Sequence, residues 1–314
     1  GYASPDLRER VEAAIRSLNF TPSKGARMLR GEPSRMIGLI LPSIDVPFFG
    51  ILAHTIEQHL FECGFQTLIC STAENADHEA RYIAMLLSQR VDGVIVASAF
   101  SDTGHFRALA DAGIPIIAID RDLSGIADAA VMADHEEGGR LMVRHLLSFG
   151  HEKIGVVGAP GHSQPVQLRL AGIREELAKT GLEPLAVSLS GEHSFAETYR
   201  LARGLLEARP EVTALIGTTD IAAIACIHAA HDLGFTVPDD YSVIGFDDLP
   251  EAMFVLPRLT TVAQPIRGVG IAAADTLAKM IAARESGAPP VAADTTRMPV
   301  ALVARQSVGP ARSV

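Results

Sequence analysis

From Met36 onward the chain alternates short apolar runs with amphipathic stretches at helical spacing. MIGLIL is an apolar run closed by Pro42, and residues 47–63 follow with a helical pattern that stops at Gly64. FQTLIC, GVIVA, PIIAI, IGVVG, LAVSL, ALIGT and YSVIGF repeat the first kind of segment; residues 75–89, 103–112, 135–149, 165–180, 194–209 and 220–233 repeat the second. Runs that are apolar without internal alternation are buried on both faces, as in a parallel sheet covered by helices. Gly64, Gly113, Gly150, Gly181 and Gly234 each follow a predicted helix, where a left-handed cap favours glycine. The strands are too many for one comfortable open sheet, and the series restarts near Lys153. The pattern therefore predicts an α/β protein of two doubly wound parallel-sheet lobes. A helix over 264–285 and a strand over 299–306 come late and return to complete the lobes. In such folds a ligand sits between the lobes, outside the carboxyl ends of the strands.

The first 35 residues break this rhythm. Ser4-Pro5-Asp6 is a helix start, with serine as cap, proline in the first helical position and an acid in the first turn. Val11, Ala14, Ile15 and Leu18 then recur at helical spacing, a stripe that one short helix cannot bury alone. Thr21-Pro22-Ser23 stops this helix and opens a second short one over 23–29, ended by Gly31-Glu32-Pro33. The net charge of −10 hides an asymmetry: residues 1–35 carry seven Lys/Arg against four acids, or +3, and the rest carries −13. A basic arm on an acidic body suits an approach to a polyanion by the arm alone, although a solvated helix has the same composition. Hydrophobic residues make up 48% and charged residues 20% of the 314, a globular composition. No apolar run reaches the roughly 18 residues of a membrane helix. GYASPDLRER lacks a basic start followed by an apolar core, and Cys63, Cys70 and Cys226 are scattered without CxxC or zinc spacing. Both features lead us to expect a cytoplasmic protein without a leader.

SPDLRERVEAAIRSLNFTPSKGARMLRG resembles the third helix and hinge helix of the lactose repressor family of transcription regulators. The body resembles that family along its length, in MIGLILPSIDVPFFGIL, VDGVIV, GIPIIAIDR, ADHEEGG, HLLSFGHEKIGVVG, LRLAGIREEL and VPDDYSVIGFDDLPEAMFVLPRLTTVAQP. The resemblance implies two lobes of the type I periplasmic-binding-protein kind behind a partial all-α headpiece. Residues 1–35 would be the remnant of a helix-turn-helix domain and its hinge helix, most of that domain lying before Gly1. Residues 36–314 would bind effector and dimerise, with an N-lobe over about 36–134 and 265–293 and a C-lobe over about 135–264 and 294–314. Leu29 falls where the family has a minor-groove wedge, a side chain that unstacks a base step and bends the duplex; its alternative is a core leucine. Arg27 and Arg30 flank it, and with Ser23 and Lys24 complete the expected DNA contacts. Gly25 departs from the family's pattern and weakens the hinge helix by about 1 kcal/mol.

For the effector the resemblance points to Arg169, in LRLAG, and Asp247, after YSVIGF. A guanidinium fork donates to a carboxylate or to two hydroxyls, and a carboxylate accepts from two adjacent hydroxyls; a surface ion pair is the alternative for each. Phe48 and Phe49 match an aromatic position, one to stack on ligand and the other for the core. Ser43, Asp45, Asp120, Arg121, Ser163, His193, Thr219 and Asp220 are further candidates near strand ends. PSIDVPFF departs from the family's PDISNPFF, and Pro165 replaces a small polar residue, so the ligand's identity stays open.

GxSxG, GxxxxGK[ST] and HExxH motifs are absent, and no cofactor or metal is implied. His228 and His231 share a helix face without a third metal ligand, and Asp134, His135, Glu136 and Glu137 read as an acidic helix start. The expected function is a non-enzymatic, ligand-responsive DNA-binding regulator, a repressor, that senses a small metabolite in the inter-lobe cleft. The metabolite is expected to be a sugar. The assembly would be a homodimer on operator DNA, with a tetramer left open. A periplasmic-type sugar-binding protein is the alternative.

Overall fold

A computed structural model of the chain describes residues 4–17, 33–97, 104–121, 123, 125–158, 160–192, 194–289 and 294–312. The chain forms two compact units, Gly1–Arg35 and Met36–Val314. In the first, α1 (Pro5–Ser17) starts as expected: the Leu7 amide donates to Ser4 Oγ at 3.3 Å, and Asp6 lies in the first turn. Leu7 and Val11 are half exposed. Ser23, Lys24, Arg27, Leu29 and Arg30, and the short helix expected over 23–29, lie outside the described residues.

The second unit holds two six-stranded sheets. One comprises β1 (Met36–Leu41), β2 (Gln66–Ser71), β3 (Gly93–Val96), β4 (Ile116–Ile119), β5 (Ala129–Ala133) and a late strand, β11 (Thr295–Met298). Its order is β11-β5-β4-β3-β1-β2, all parallel. The other comprises β6 (Ile154–Gly158), β7 (Ala186–Leu189), β8 (Ala214–Gly217), β9 (Ser242–Asp247), β10 (Thr260–Ala263) and β12 (Ala301–Val303). Its order is β12-β10-β9-β8-β6-β7, with β12 alone antiparallel. Helices α2 (Pro47–Glu62), α3 (Ala76–Ser88) and α4 (Arg107–Asp111) cover the first sheet. Helices α5 (His135–Ser148), α6 (Gln164–Ala178), α7 (Phe195–Ala208), α8 (Asp220–Asp232) and the single-turn α9 (Glu251–Phe254) belong to the second. Helix α10 (Ile266–Ser286) returns to pack on α2.

Strand geometry explains the double covering. Ile37, Leu39 and Leu41 of β1 point into the core shared with α2 and α10, and Ile40 points into the core under α3. In the second sheet Val157, Leu215 and Val243 face α7 and α8, and Val156, Ile216 and Ile244 face α5 and α6. Burying each such side chain stabilises the fold by about 1.5–3 kcal/mol, so runs without alternation are stable only between two helical layers. Gly64 and Gly234 close their helices with φ of 83° and 84°, a region that penalises any side chain. The three cysteines are free, and burial pushes the thiols of Cys70 and Cys226 up to about 11 and about 12.

Three parts of the sequence reading change. β5 and β10 are added; AAVMA and TTVA lack the bulky runs that mark the other strands. Thr260 and Thr261 of β10 are nonetheless fully buried, their hydroxyls bonded to the Arg305 amide and to Asp220. The strand expected over 299–306 is the shorter β12, and β11, just before it, is a further strand in the other sheet. β11 pairs with β5, so residues 294–298 belong to the first lobe rather than the second, and the chain crosses between β11 and β12. With the passages from β5 to α5 and from β10 to α10, three segments join the lobes.

Candidate ligand-binding cleft

The carboxyl ends of the two sheets border a cavity of about 330 Å³. The first lobe supplies Pro42, Ala97 and Ile119 to Arg121 from its strand ends, and Phe48 and Phe49 from the first turn of α2. The second supplies Ser163 to Val166 and Arg169 from α6 and its cap, Thr219, Asp247 and Gln264 from strand ends, and Phe195 and Thr198 from α7. Parallel strands deliver all of these to one place, because every loop that follows a strand emerges on the same side.

The polar groups are deepest. Arg169 is 4% exposed, its guanidinium 3.6 Å from the centroid of the Phe246 ring. Nη1 donates to the Thr218 carbonyl at 2.5 Å, Nε faces His135 Nδ1 at 3.3 Å, and Nη2 lies 3.6 Å from Asp247 Oδ1. Arginine donates only, so His135 Nδ1 is the acceptor and its proton sits on Nε2, which donates to Asp120 Oδ1 at 3.0 Å. Burial pulls the His135 pKa below its ordinary value, consistent with this neutral tautomer. Burial works against the Asp120 carboxylate too, but His135, the Ala133 amide and Arg169 hold its pKa below the usual range. The result is one chain of contacts, Asp120–His135–Arg169–Asp247–Gln264, that starts in one lobe and ends where β10 leaves the other.

Glycines set this geometry. A Cβ on Gly172 would lie far inside van der Waals contact distance of the Glu136 carbonyl oxygen, and one on Gly139 far inside that of the Arg169 carbonyl oxygen. Helices α5 and α6 therefore touch backbone to backbone, which brings His135 on one beside Arg169 on the other. Gly138 leaves room for the Phe246 ring beneath the guanidinium.

Asp247 and Asp248 have φ of 128° and 58°, backbone that side chains rarely adopt. Arg305 Nη2 holds Asp248 at 2.5 Å, and Gln264 Nε2 holds Asp247 at 2.6 Å. Burial, opposed by Arg169, pushes the Asp247 carboxyl up to about 8. In the folded protein this carboxyl thus keeps a proton that the unfolded chain, with an aspartate pKa of about 3.9, has already released. Stability contributed by this group is lost as pH rises from about 4 through about 8. Asp247→Asn, which mimics the protonated form, should melt higher than the parent by a margin that widens by several degrees from about pH 6 to pH 9. Thermal unfolding across that range checks this; a constant margin contradicts it.

Of the residues expected from sequence, Phe48, Phe49, Arg121, Ser163, Arg169, Thr219 and Asp247 line the cleft, as do Asp45 and Asp120. Phe48 and Phe49 meet edge to face at 5.0 Å. Asp220 is corrected: its carboxylate is fully buried, accepting from the Leu249 amide and the Thr261 hydroxyl, and so braces the loop after Asp247 instead of facing the cavity. Burial pushes its pKa up to about 6. Ser43 accepts from the Asp45 amide at 3.2 Å, outside the lining, and His193 lies outside the described residues. Asp134 caps α5, as an acidic helix start predicts, but His135 belongs to the buried chain of contacts. His228 packs on the Phe195 ring at 5.8 Å, and His231 pairs with Asp232 at 3.4 Å. Sequence reasoning missed Gln264, Phe195 and Thr198. The one available signal was a polar residue directly before Pro265.

Two parallel-sheet lobes joined by three segments around a buried polar cleft define a ligand-binding protein of the periplasmic-binding-protein class. The sequence model described as periplasmic binding proteins and sugar binding domain of the LacI family matches residues 34–303. The chain belongs to the LacI family. It is 33% identical over 281 residues to the ribose operon repressor of Halalkalibacterium halodurans, covering 90% of this chain and 83% of that one. It is 36% identical over 274 residues to the HTH-type transcriptional regulator DegA of Bacillus subtilis, covering 86% and 81%. Among solved structures, the lac repressor dimer bound to operator and the anti-inducer ONPF aligns with a TM-score of 0.85 at 26% identity, over 98% of this chain and 92% of that one. A LacI family regulator from Enterococcus faecium with bound ribose aligns with a TM-score of 0.78 at 29% identity, over 88% and 100%.

Proposed function

We propose that this chain is the sensing body and hinge of a transcriptional repressor that binds a small sugar in the cleft and acts as a homodimer on operator DNA. The observation that carries the ligand side is the buried pair of Arg169 and Asp247, 3.6 Å apart at the carboxyl ends of the strands. One offers a fork of donors and the other an acceptor, the complement of a polyol. The ribose bound to the Enterococcus faecium regulator and the repressor names of the sequence relatives support the same reading. The operator in the lac repressor dimer structure supports the DNA side. No described helix is long and apolar enough to cross a membrane, and we place the protein in the cytoplasm, without an enzymatic role. The basic balance of residues 1–35 favours this over a periplasmic-type sugar binder.

Ligand that bridges both lobes changes the free energy of their relative arrangement, and through the dimer it changes the register of the two hinges on DNA. The coupling is reciprocal: DNA must alter ligand affinity by the factor that ligand alters DNA affinity. Leu29 is proposed as the wedge, with Ser23, Lys24, Arg27 and Arg30 on the backbone.

Calorimetric titration with a panel of sugars and nucleobases, followed by operator binding with and without the hit, tests the reading. The protein used carries the helix-turn-helix that the family places before Gly1. A sugar should bind and shift operator affinity; a nucleobase hit would overturn the sugar assignment. In the same assay Leu29→Ala should weaken operator binding by about 1–3 kcal/mol, comparable to unstacking a base step, with effector affinity for the DNA-free protein unchanged. Unaltered DNA bending by that variant would remove Leu29 from the wedge role.

A further inference from the structure

His135 is the first residue of α5, and its ring is buried between Asp120, which follows β4 of the first lobe, and Arg169 on α6 of the second. Both ring nitrogens are engaged, in opposite senses: Arg169 Nε donates to Nδ1, and Nε2 donates to Asp120 Oδ1. One protonation form alone fits these partners. With a proton on Nδ1, or on both nitrogens, an N–H points at the Arg169 N–H 3.3 Å away, and arginine has no acceptor to offer. A second proton therefore costs the ring its bond to the guanidinium and sets two cations side by side in a buried site. The charged groups around the ring come from several elements. Asp120 faces it from β4, Asp134 caps its own helix, Arg169 meets it from α6, and Asp247 lies beyond the guanidinium at the end of β9. Asp220, at the start of α8, acts on Arg169. Glu136 and Glu137 pair instead with Arg297 at 3.8 Å and Arg140 at 2.7 Å. Burial pulls the ring's pKa down, Asp120 opposes this, and Arg169 adds to the fall. Among these neighbours Asp247, at about 8, is protonated in mild acid, and Asp220, at about 6, titrates in the histidine range.

We propose that His135 is a positioning residue that makes effector sensing proton-gated, a role that rests on Arg169 being an effector contact: the neutral ring holds the guanidinium fork in the cleft, and the protonated ring repels it. Effector affinity therefore falls as pH drops through the titration of His135. The bond to Asp120 behaves in the opposite way. Nε2 keeps its proton in both forms, and a charged donor on a carboxylate makes the stronger bond. The acid form thus keeps the two lobes tied through Asp120 while the fork is displaced.

Two measurements on the whole chain test this. Long-range proton–nitrogen NMR at about pH 7.5 should show the His135 ring with its proton on Nε2 and a bare Nδ1, and an Arg169 Nε–H protected from exchange. On acidification to about pH 5 the ring should gain its second proton and the Arg169 Nε–H should lose its protection. A proton on Nδ1 at the higher pH, a ring still neutral at the lower, or a guanidinium that stays protected beside a charged ring overturns the proposal. Calorimetry with D-ribose and D-glucose reads the consequence. The affinity of the parent for the sugar that binds should fall at least about fivefold between about pH 7.5 and pH 5, because one linked proton contributes up to about tenfold per pH unit below its pKa. The amide of His135→Asn keeps one acceptor and one donor but does not titrate, so its affinity should change less than about twofold over the same range. An acid loss that persists in His135→Asn belongs to Asp220 and overturns the proposal, as does a parent affinity that is flat with pH. If neither sugar binds the parent, the sugar reading falls, and the protection of the Arg169 Nε–H still decides the proton gate. The same NMR on the parent decides it if His135→Asn loses its fold by circular dichroism.

Discussion

Replacing Gly172 with alanine should lower the melting temperature of the protein by about 6–12 °C. The added Cβ would collide with the Glu136 carbonyl oxygen, a backbone atom in the first turn of the facing helix. A flexible side chain could swing aside, but here α5 and α6 must separate. That movement breaks packing among Met142, Val143, Leu170 and Ile173, all essentially buried. Overpacking a core costs about 1–3 kcal/mol, and the upper end applies where backbone must shift; each kcal/mol moves the midpoint by ~2–4 °C in a domain of this size. The same separation pulls His135 away from Arg169, so ligand affinity should fall together with stability. Gly204→Ala is the matched control. It lies in α7 with nothing within 4 Å of the new Cβ, and a helical glycine-to-alanine change gains up to about 1 kcal/mol. Equal melting of Gly172→Ala and the parent would show that the two helices are not in the contact described.

Arg169→Ala should abolish the response to effector while operator binding at its unliganded strength persists. The guanidinium is the centre of the buried chain of contacts, touching Thr218, His135, Asp247 and the Phe246 ring. A hydrogen bond from a charged donor is worth about 1.5–3 kcal/mol, so losing the ligand's share of the fork should weaken binding ~10- to 150-fold. Loss of the cation also leaves Asp247 without its counter-charge, which raises its pKa further. Arg169→Lys should rescue little, because an ammonium cannot donate along two fixed directions. Without ligand binding the DNA affinity stays constant at any effector concentration: permanent repression if effector induces, permanent derepression if it co-represses. Calorimetry paired with operator titration reads both quantities, and normal effector affinity in Arg169→Ala would remove the residue from the site.

The architecture was legible because parallel sheets write themselves in apolar runs. MIGLIL, GVIVA, PIIAI and ALIGT are too uniformly apolar to face water on either side, and all four lie in strands. β10 was not legible, because burial of its threonines is made tolerable by Ser307, Arg305 and Asp220, which are distant in sequence. Asp220 and Gln264 exchanged roles for a related reason. An acid after a strand reads as a ligand group, yet Asp220 spends both oxygens on its own lobe. Gln264 reads as the first residue of a helix over 264–285, yet it precedes that helix and its side chain lines the cleft.

By itself the sequence determined what depends on short-range order: strand runs buried on two faces, glycine caps, a serine-proline helix start, the basic balance of the first 35 residues, and the strand ends where polar groups collect. The family resemblance singled out Asp247 at one of those ends and Arg169, which lies on α6. The tertiary structure decided which polar groups meet. Residues 120, 135, 169, 247 and 264 form one buried chain only because α5 and α6 pack at glycine distance and three segments carry the backbone between lobes. Hydrogen-bond satisfaction is a property of all neighbours within about 3.5 Å, whatever their separation along the chain, and periodicity along one strand or helix does not carry that information.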